Sequence, residues 1–80
     1  MTAADDDFSA YAATAWPALY RRAYLLSGQH ADAEDIAQQT LIRVRRHWGK
    51  VRRAESMDAY VLRMLTNAFL SSRRPARVSR

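Results

Sequence analysis

The chain has 80 residues, no cysteine and a formal charge of +5. A chain of this length makes one small domain, whose core supports only about 3 to 5 kcal/mol of net stability. The lack of cysteine excludes disulfides, thiolate metal sites and thiol nucleophiles. There is no basic and then apolar leader, and no run of about eighteen apolar residues, so we expect a soluble, cytoplasmic protein that does not enter a membrane.

Positive charge is concentrated in the second half of the chain. Eleven of the 13 Lys and Arg residues lie at or after Arg43, together with only two of the 8 acidic residues. A basic end of this kind suits a polyanion, either nucleic acid or, less well, an anionic membrane. An Arg-rich solvated surface accounts for the charge equally well, so the charge alone leaves the partner open.

The first predicted helix starts at Phe8 and stops at Gly28, a residue type that favours helix C-termini. Before it, residues 1–7 are predicted to be a disordered N-terminus, whose three aspartates would favour the positive end of the helix dipole. Pro17 predicts a kink or a break just before it, which would divide the helix in two. Eight apolar residues recur at helical spacing along this segment: Phe8, Tyr11, Ala12, Ala15, Trp16, Leu19, Ala23 and Leu26.

The second predicted helix, Asp32 to Trp48, has two different faces. The face expected to pack in the core contains residues spaced three or four apart: Ala33, Ile36, Ala37, Thr40, Leu41, Val44 and Trp48. The opposite face is polar apart from one isoleucine, and we expect it to meet a partner: Asp35, Gln38, Gln39, Ile42, Arg45 and Arg46. For Asp35 alone, the preference of acids for helix starts is a sufficient explanation.

A basic loop, GKVRRAES, is predicted from Gly49, as the stop of the second helix, to Ser56, as the N-cap of the third. His30 and His47 have no second ligand at metal spacing, so both are predicted to be surface or interface residues. No metal or other cofactor is predicted.

The third predicted helix runs from Met57 to Ser72 or Arg74, and Pro75 stops it. Its predicted buried stripe is Val61, Met64, Leu65, Ala68 and Phe69. After it, residues 75–80 are predicted to be a basic linker or tail. The elements together predict an all-α domain over residues 8–74, a small three-helix bundle, or a four-helix bundle if Pro17 breaks the first helix.

The other face of the third helix contains Tyr60, Arg63, Asn67, Leu70 and Arg74. This combination suits nucleic acid, because Arg pairs with phosphate, an aromatic ring stacks on a base, and Asn bonds a base edge. Tyr60 fits a core-edge position equally well, and Arg63 an ordinary surface position. Paired acids, a nucleophile with a base and a phosphate-binding glycine loop are missing, so no enzyme is predicted.

Four stretches of the chain form a pattern: DAEDIAQQTL at 32–41 with the tryptophan that follows it, AYVLRMLTN at 59–67, Arg73-Arg74, and LYRRA at 19–23. Together they resemble the promoter-binding second region of bacterial extracytoplasmic-function sigma factors. The resemblance covers residues 8–74 and implies that the second helix docks on the coiled coil of the RNA polymerase β′ clamp. The implied polymerase-binding residues are Asp35, Gln38, Gln39, Ile42 and Arg46. The family more often has Glu at the position of Gln39.

The same resemblance implies that the loop and the third helix hold the non-template strand of the promoter −10 element, and so stabilise melted DNA. The implied DNA-binding residues are Lys50, Arg52, Arg53, Ser56, Tyr60, Arg63, Asn67, Arg73 and Arg74. Tyr60 stands where the family usually has tryptophan.

The implied partners are RNA polymerase core, through β′, single-stranded −10 DNA and, as a further candidate, an anti-sigma factor; the domain is expected to be a monomer alone. The alternative reading is a protein-interaction module, binding polymerase or an anti-sigma factor, without sequence-specific DNA binding. Whole factors of this type also carry a helix-turn-helix that reads the −35 element. Only AlaArgValSerArg follows Pro75, so we expect a fragment or a truncated form that does not initiate transcription alone.

Overall fold

The computed structural model describes residues 3–73, with side chains from Asp6 onward. These residues form four helices and no strand, which confirms the all-α fold. The helices are α1 (Ala3–Ser27), α2 (His30–Arg46), α3 (Trp48–Arg52) and α4 (Met57–Ser72). Because α1 begins at Ala3, it includes residues 3–7 of the predicted disordered terminus. Arg74 and the predicted tail 75–80 lie outside the described residues, and the division into terminus, domain and tail stays a prediction.

The central helix is α2, which packs against α1 and α4 more extensively than those two pack against each other. Its buried stripe is Ala33, Ile36, Ala37, Thr40 and Val44, and that of α4 is Val61, Met64, Leu65 and Ala68. Both stripes follow the predicted spacing, although Leu41 and Phe69 are only half-buried. The buried hydroxyl of Thr40 donates to the Ile36 carbonyl at 2.8 Å, so it is satisfied within the helix.

The turn between α1 and α2 depends on Gly28, whose φ of 77° is in the left-handed region. Its N–H donates to the Tyr24 carbonyl at 2.8 Å, the αL form of a helix C-cap. The predicted stop is therefore confirmed. Leu26, the last residue of the predicted apolar series, is 39% exposed. The apolar periodicity of α1 thus continues beyond the end of the core.

Helix α1 is continuous through Pro17, so of the two predicted outcomes, a kink or a break just before it, the break is wrong. Proline in a helix interior costs about 3 kcal/mol, because it cannot donate to the carbonyl four residues earlier and crowds it. That carbonyl belongs to Ala13, which is exposed like Pro17, so water can satisfy it. Trp16 and Leu19, on either side of the proline, pack in or against the core, so both halves of the helix are held by the same core.

The fourth helix comes instead from the predicted loop. Helix α2 ends at Arg46, and α3 begins directly after His47. Gly49 therefore lies inside a helix, and its predicted role as a stop is wrong. The prediction of a loop from Gly49 to Ser56 is correct only for the residues after Arg52.

Helix α3 forms because one of its sides is buried against α1 and the core. Val51 is fully buried, and Trp48 packs against the core cluster. The Trp48 ring lies 5.6 Å from the Phe8 ring and 5.3 Å from the Tyr11 ring, measured between centroids. Residues three apart share a helix face, so Trp48 and Val51 together outweigh the turn preference of the glycine between them.

Ser56 starts α4 as predicted. Its backbone is extended, with φ −132° and ψ 106°, and its side-chain oxygen accepts a hydrogen bond from the Ala59 N–H at 3.1 Å. This is the usual geometry of a serine N-cap. The cap satisfies one of the free N–H groups at the start of α4.

Candidate functional site

The first candidate surface is the α2 outer face, defined as Asp35, Gln38, Gln39, Ile42 and Arg46. All five side chains are exposed, and Ile42 is 58% exposed. With 3.6 residues per turn, Ile42 and Arg46 lie within about 20° of Asp35 around the helix axis, and the two glutamines within about 60°. The residues predicted to bind polymerase are therefore brought together in one strip.

This strip is directed away from the rest of the domain. The opposite side of α2 is the buried stripe that contacts α1 and α4. Among the described side chains, neither Asp35 nor Arg46 forms an ion pair, so both charges are available to a partner. A single exposed isoleucine between charged and amide groups is compatible with the small apolar centre and polar rim of a protein interface.

The second candidate surface, the basic surface, is formed by α3 and the residues that join it to α4: Lys50, Arg52, Arg53 and Ser56. All four side chains are exposed. The burial of Val51 and the packing of Trp48 hold α3 against the core, so the cations lie on a short helix and the residue after it, where a basic loop was predicted. The Ser56 oxygen already accepts the Ala59 N–H, which leaves its hydroxyl proton for another acceptor.

The α4 outer face continues from the basic surface along the chain. It contains Tyr60, Arg63, Asn67 and Leu70, spaced three or four apart. Arg63, Asn67 and Leu70 are exposed, whereas Tyr60 is half-buried and packs against the core. The core-edge interpretation of Tyr60 therefore holds in part, and only the outer portion of its ring can meet a ligand.

One further predicted DNA-binding residue, Arg73, directly follows the far end of α4. The Arg73 guanidinium lies over the Phe69 ring, 5.5 Å from its centroid, a cation–π arrangement that orients an otherwise exposed side chain. Arg74 lies outside the described residues. The predicted DNA-binding set therefore extends along the whole of α4.

An ion pair that the sequence did not predict joins the start of α1 to the end of α3. A terminal nitrogen of Arg52 lies 3.1 Å from a carboxylate oxygen of Asp7. No local pattern signals this contact, because the two residues are far apart in sequence. Arg52, predicted only as a phosphate ligand, therefore already has an anionic neighbour.

A groove of about 390 Å³ between α1 and α4 was also missed. Leu19, Val61 and Leu65 form its apolar floor, and Leu62 lies in its wall, 37% exposed. Tyr11 lines the same groove near Asp58, and burial raises the pKa of Tyr11, with the Asp58 carboxylate adding to the rise. The only sequence signal for the groove was Leu62, an apolar residue outside the buried stripe of α4.

Both histidines are exposed, as predicted. His30 stacks on Tyr24 with centroids 4.8 Å apart, and its Nδ1 is hydrogen-bonded to the Tyr20 hydroxyl. Within the described part of the chain, no three His, Cys, Asp or Glu side chains are grouped so as to hold a metal ion. None of the helices of residues 3–73 has the length and apolar character needed to cross a membrane.

Comparison with known proteins identifies the family. No curated protein and no solved structure matches the chain significantly. The sigma-70 region 2 family model, in contrast, matches residues 14–78, which include all but the first turns of α1 and the whole of α2, α3 and α4. The chain therefore belongs to the sigma-70 region 2 family and is a sigma-factor domain with a role in promoter recognition and RNA polymerase binding.

Proposed function

We propose that this region 2 domain is of the extracytoplasmic-function type and that it divides its two tasks between two faces. The α2 outer face docks on the coiled coil of the β′ clamp. Its support is the strip of five exposed residues, with Asp35 and Arg46 free of ion pairs among the described side chains. An acid and a base about three turns apart on one line can pair with opposite charges on a partner helix and so fix its direction and register.

The basic surface and the α4 outer face hold the non-template strand of the −10 element. The observation that carries this proposal is their succession along the chain: the exposed cations of α3 are followed, after the Ser56 cap, by Tyr60, Arg63 and Asn67 on α4. Phosphates would meet the cations, a flipped base would stack on the outer part of Tyr60, and Asn67 would bond a base edge.

Binding of this kind stabilises melted DNA relative to the duplex, and no covalent bond is made or broken. Flipping a base costs a few kcal/mol, and stacking on an aromatic side chain returns roughly 1 to 3 kcal/mol per base. One half-buried tyrosine therefore offsets only part of the cost, and the cations and Asn67 must supply the remainder. Sigma-70 region 2 is a transcription-factor domain and not a catalytic one, which agrees with a function that consists of binding.

The alternative is an interaction module that binds polymerase or an anti-sigma factor but does not read DNA. The groove between α1 and α4 favours it, because Leu62 exposes apolar surface there that DNA binding does not use. The basic surface argues against it, since a pure interaction module has no need of adjacent cations on α3.

The two readings are separated by selecting a single-stranded oligonucleotide on the protein from a randomised pool. Fluorescence anisotropy then compares the enriched oligonucleotide with its scramble at about 50 and 200 mM salt, conditions between which phosphate contacts weaken strongly. We expect tighter binding of the enriched sequence at both salt concentrations. Equal binding of both sequences would reduce the function to electrostatic attraction, and no binding would favour the interaction module.

A further inference from the structure

The ion pair between Asp7 and Arg52 is half-exposed, with 46% of the Arg52 side chain and 50% of the Asp7 side chain accessible to solvent. The oxygen–nitrogen distance is 3.1 Å. A phosphate of a bound strand can therefore reach the Arg52 guanidinium, but it would arrive next to a carboxylate.

The position of Asp7 is determined by aromatic packing. Phe8, the next residue in the chain, meets the Trp48 ring edge to face, and Tyr11, one turn later, meets the same ring. Trp48 is itself one turn before Arg52 on α3. The aromatic contact thus fixes the start of α1 against α3, and Asp7 is held within reach of Arg52.

We propose that Asp7 competes with nucleic-acid phosphate for Arg52. The competition lowers the affinity of the basic surface for nucleic acid and makes that affinity depend less on salt concentration. The inference rests on the proposed DNA-binding function. Phosphate must displace the carboxylate or share the guanidinium with it, and like charges at such short range repel each other. Lys50 and Arg53 have no ion pair among the described side chains. The competition therefore concerns Arg52 and not these two cations.

Asp6 provides a matched control. It is an exposed aspartate of the same helix turn, and it forms no ion pair among residues 6–73. Asp6→Asn and Asp7→Asn change the net charge of the protein equally, so a difference between them reports the contact with Arg52 and not the overall field.

The experiment measures anisotropy of a labelled single-stranded oligonucleotide, the one enriched from the randomised pool, with the full 80-residue chain. Wild type, Asp6→Asn, Asp7→Asn, Arg52→Gln and the Asp7→Asn/Arg52→Gln double variant are compared across a salt series, each with a thermal melt to verify folding. Asp7→Asn should tighten binding about two- to fivefold, the range that corresponds to one surface ion pair. Its plot of log affinity against log salt should also steepen, by at most about 0.7.

Two further results are expected: Asp6→Asn changes the affinity less than Asp7→Asn, and the gain from Asp7→Asn disappears in the Arg52→Gln background. Equal effects of the two aspartate variants, a gain that survives without Arg52, or weaker binding by Asp7→Asn would overturn the competition. If every folded variant, wild type included, fails to bind any oligonucleotide, the DNA-binding function itself is wrong, and this inference falls with it.

Discussion

The indole ring of Trp48 and the phenyl ring of Phe8 meet edge to face, with centroids 5.6 Å apart and ring planes at 79°. This contact joins the start of α1 to α3, the short helix that carries Lys50 and Arg52. The aromatic contact at the start of α3 therefore helps to hold the cations of the basic surface in place. Stability and DNA binding should consequently be coupled at Trp48.

Trp48→Ala should lower the free energy of unfolding by roughly 2 to 4 kcal/mol, since the ring is only partly buried and full truncations cost about 3 to 5. In the fraction of the variant that stays folded, DNA affinity should fall more than polymerase binding, because α3 loses its anchor while α2 keeps its own core contacts. Urea denaturation, anisotropy and a pull-down with polymerase core measure the three quantities.

Trp48→Phe is the control for this prediction. It keeps an aromatic ring against Phe8 and removes the indole N–H, which is buried and finds no acceptor among the described residues. Removing an unsatisfied donor recovers part of the cost of the lost volume. A Phe variant as unstable as the Ala variant would contradict the role assigned to the ring contact.

Ser56 is the N-cap of α4 and, in the proposed function, also a neighbour of bound DNA. Ser56→Ala should lower the free energy of unfolding by about 1 kcal/mol through loss of the cap. Ser56→Asp keeps a capping oxygen and should retain stability, but its negative charge should weaken oligonucleotide binding. Urea denaturation and anisotropy test the pair. If Ser56→Asp binds DNA as tightly as wild type, the residue is a cap and nothing more.

On the α2 outer face, Asp35→Ala combined with Gln38→Ala should weaken binding to polymerase core. Both side chains are exposed, so each change should alter stability by only about 0.5 kcal/mol. The assay is a pull-down with core enzyme paired with a thermal melt. Glu34→Ala removes one carboxylate from the same helix about 100° away from Asp35 and should leave binding intact. If the double variant binds polymerase core as tightly as wild type, the α2 outer face is not the polymerase-binding surface.

On the α4 outer face, Arg63→Ala and Asn67→Ala should affect DNA binding differently. Arg63→Ala should weaken enriched and scrambled oligonucleotides alike and flatten the salt dependence, as expected for a phosphate contact. Asn67→Ala should cost about 1 to 3 kcal/mol on the enriched sequence and less on the scramble, as expected for a base contact. Thr66→Ala is the control, because the Thr66 hydroxyl donates to the Leu62 carbonyl within the helix. The same loss in all three variants would indicate a general effect on α4.

The raised pKa of Tyr11 predicts a pH dependence of stability at the alkaline end. Burial is the larger cause of the rise and the Asp58 carboxylate the smaller. The folded state therefore holds the phenolic proton more tightly than the unfolded chain, so this stabilisation is complete below the unfolded pKa of about 10 and is lost as pH rises above it.

Tyr11→Phe should make the free energy of unfolding less dependent on pH above about pH 10, because it removes this titration. Asp58→Asn should give a pH dependence between those of Tyr11→Phe and wild type, since it removes only the smaller cause of the raised Tyr11 pKa. Urea denaturation at several alkaline pH values measures the slopes. Parallel curves for wild type and Tyr11→Phe would contradict the linkage.

Local patterns were sufficient for much of this fold. The spacing of Ile36, Thr40 and Val44 identified the buried side of α2, and the residue types at Gly28 and Ser56 identified a stop and a cap, because each of these features depends on neighbours within about one turn. The exposed strip around Asp35 followed from the same periodicity. Its partner, in contrast, came only from the resemblance to sigma factors, since an exposed face does not itself specify what binds it.

The failures share one physical cause, which is that contacts distant in sequence outweighed local preference. Gly49 signals a stop, yet α3 forms around it because Trp48 reaches Phe8 and Tyr11 on another helix. Pro17 signals a kink or a break, yet α1 is continuous through it, with residues packed on the core on both sides. The pairing of Asp7 with Arg52 depends on the same approach of α1 to α3 and was equally invisible in the sequence.

The central claim is that one face binds polymerase and another binds DNA. The most direct test applies two assays, the polymerase pull-down and oligonucleotide anisotropy, to Asp35→Ala/Gln38→Ala and to Arg63→Ala/Asn67→Ala. Asp35→Ala/Gln38→Ala should weaken polymerase binding at least about tenfold and leave DNA binding unchanged. Arg63→Ala/Asn67→Ala should weaken DNA binding at least about tenfold and leave polymerase binding unchanged. A tenfold loss corresponds to about 1.4 kcal/mol of binding free energy. Loss of both activities in both folded variants, or of neither, would contradict the separation of the two faces.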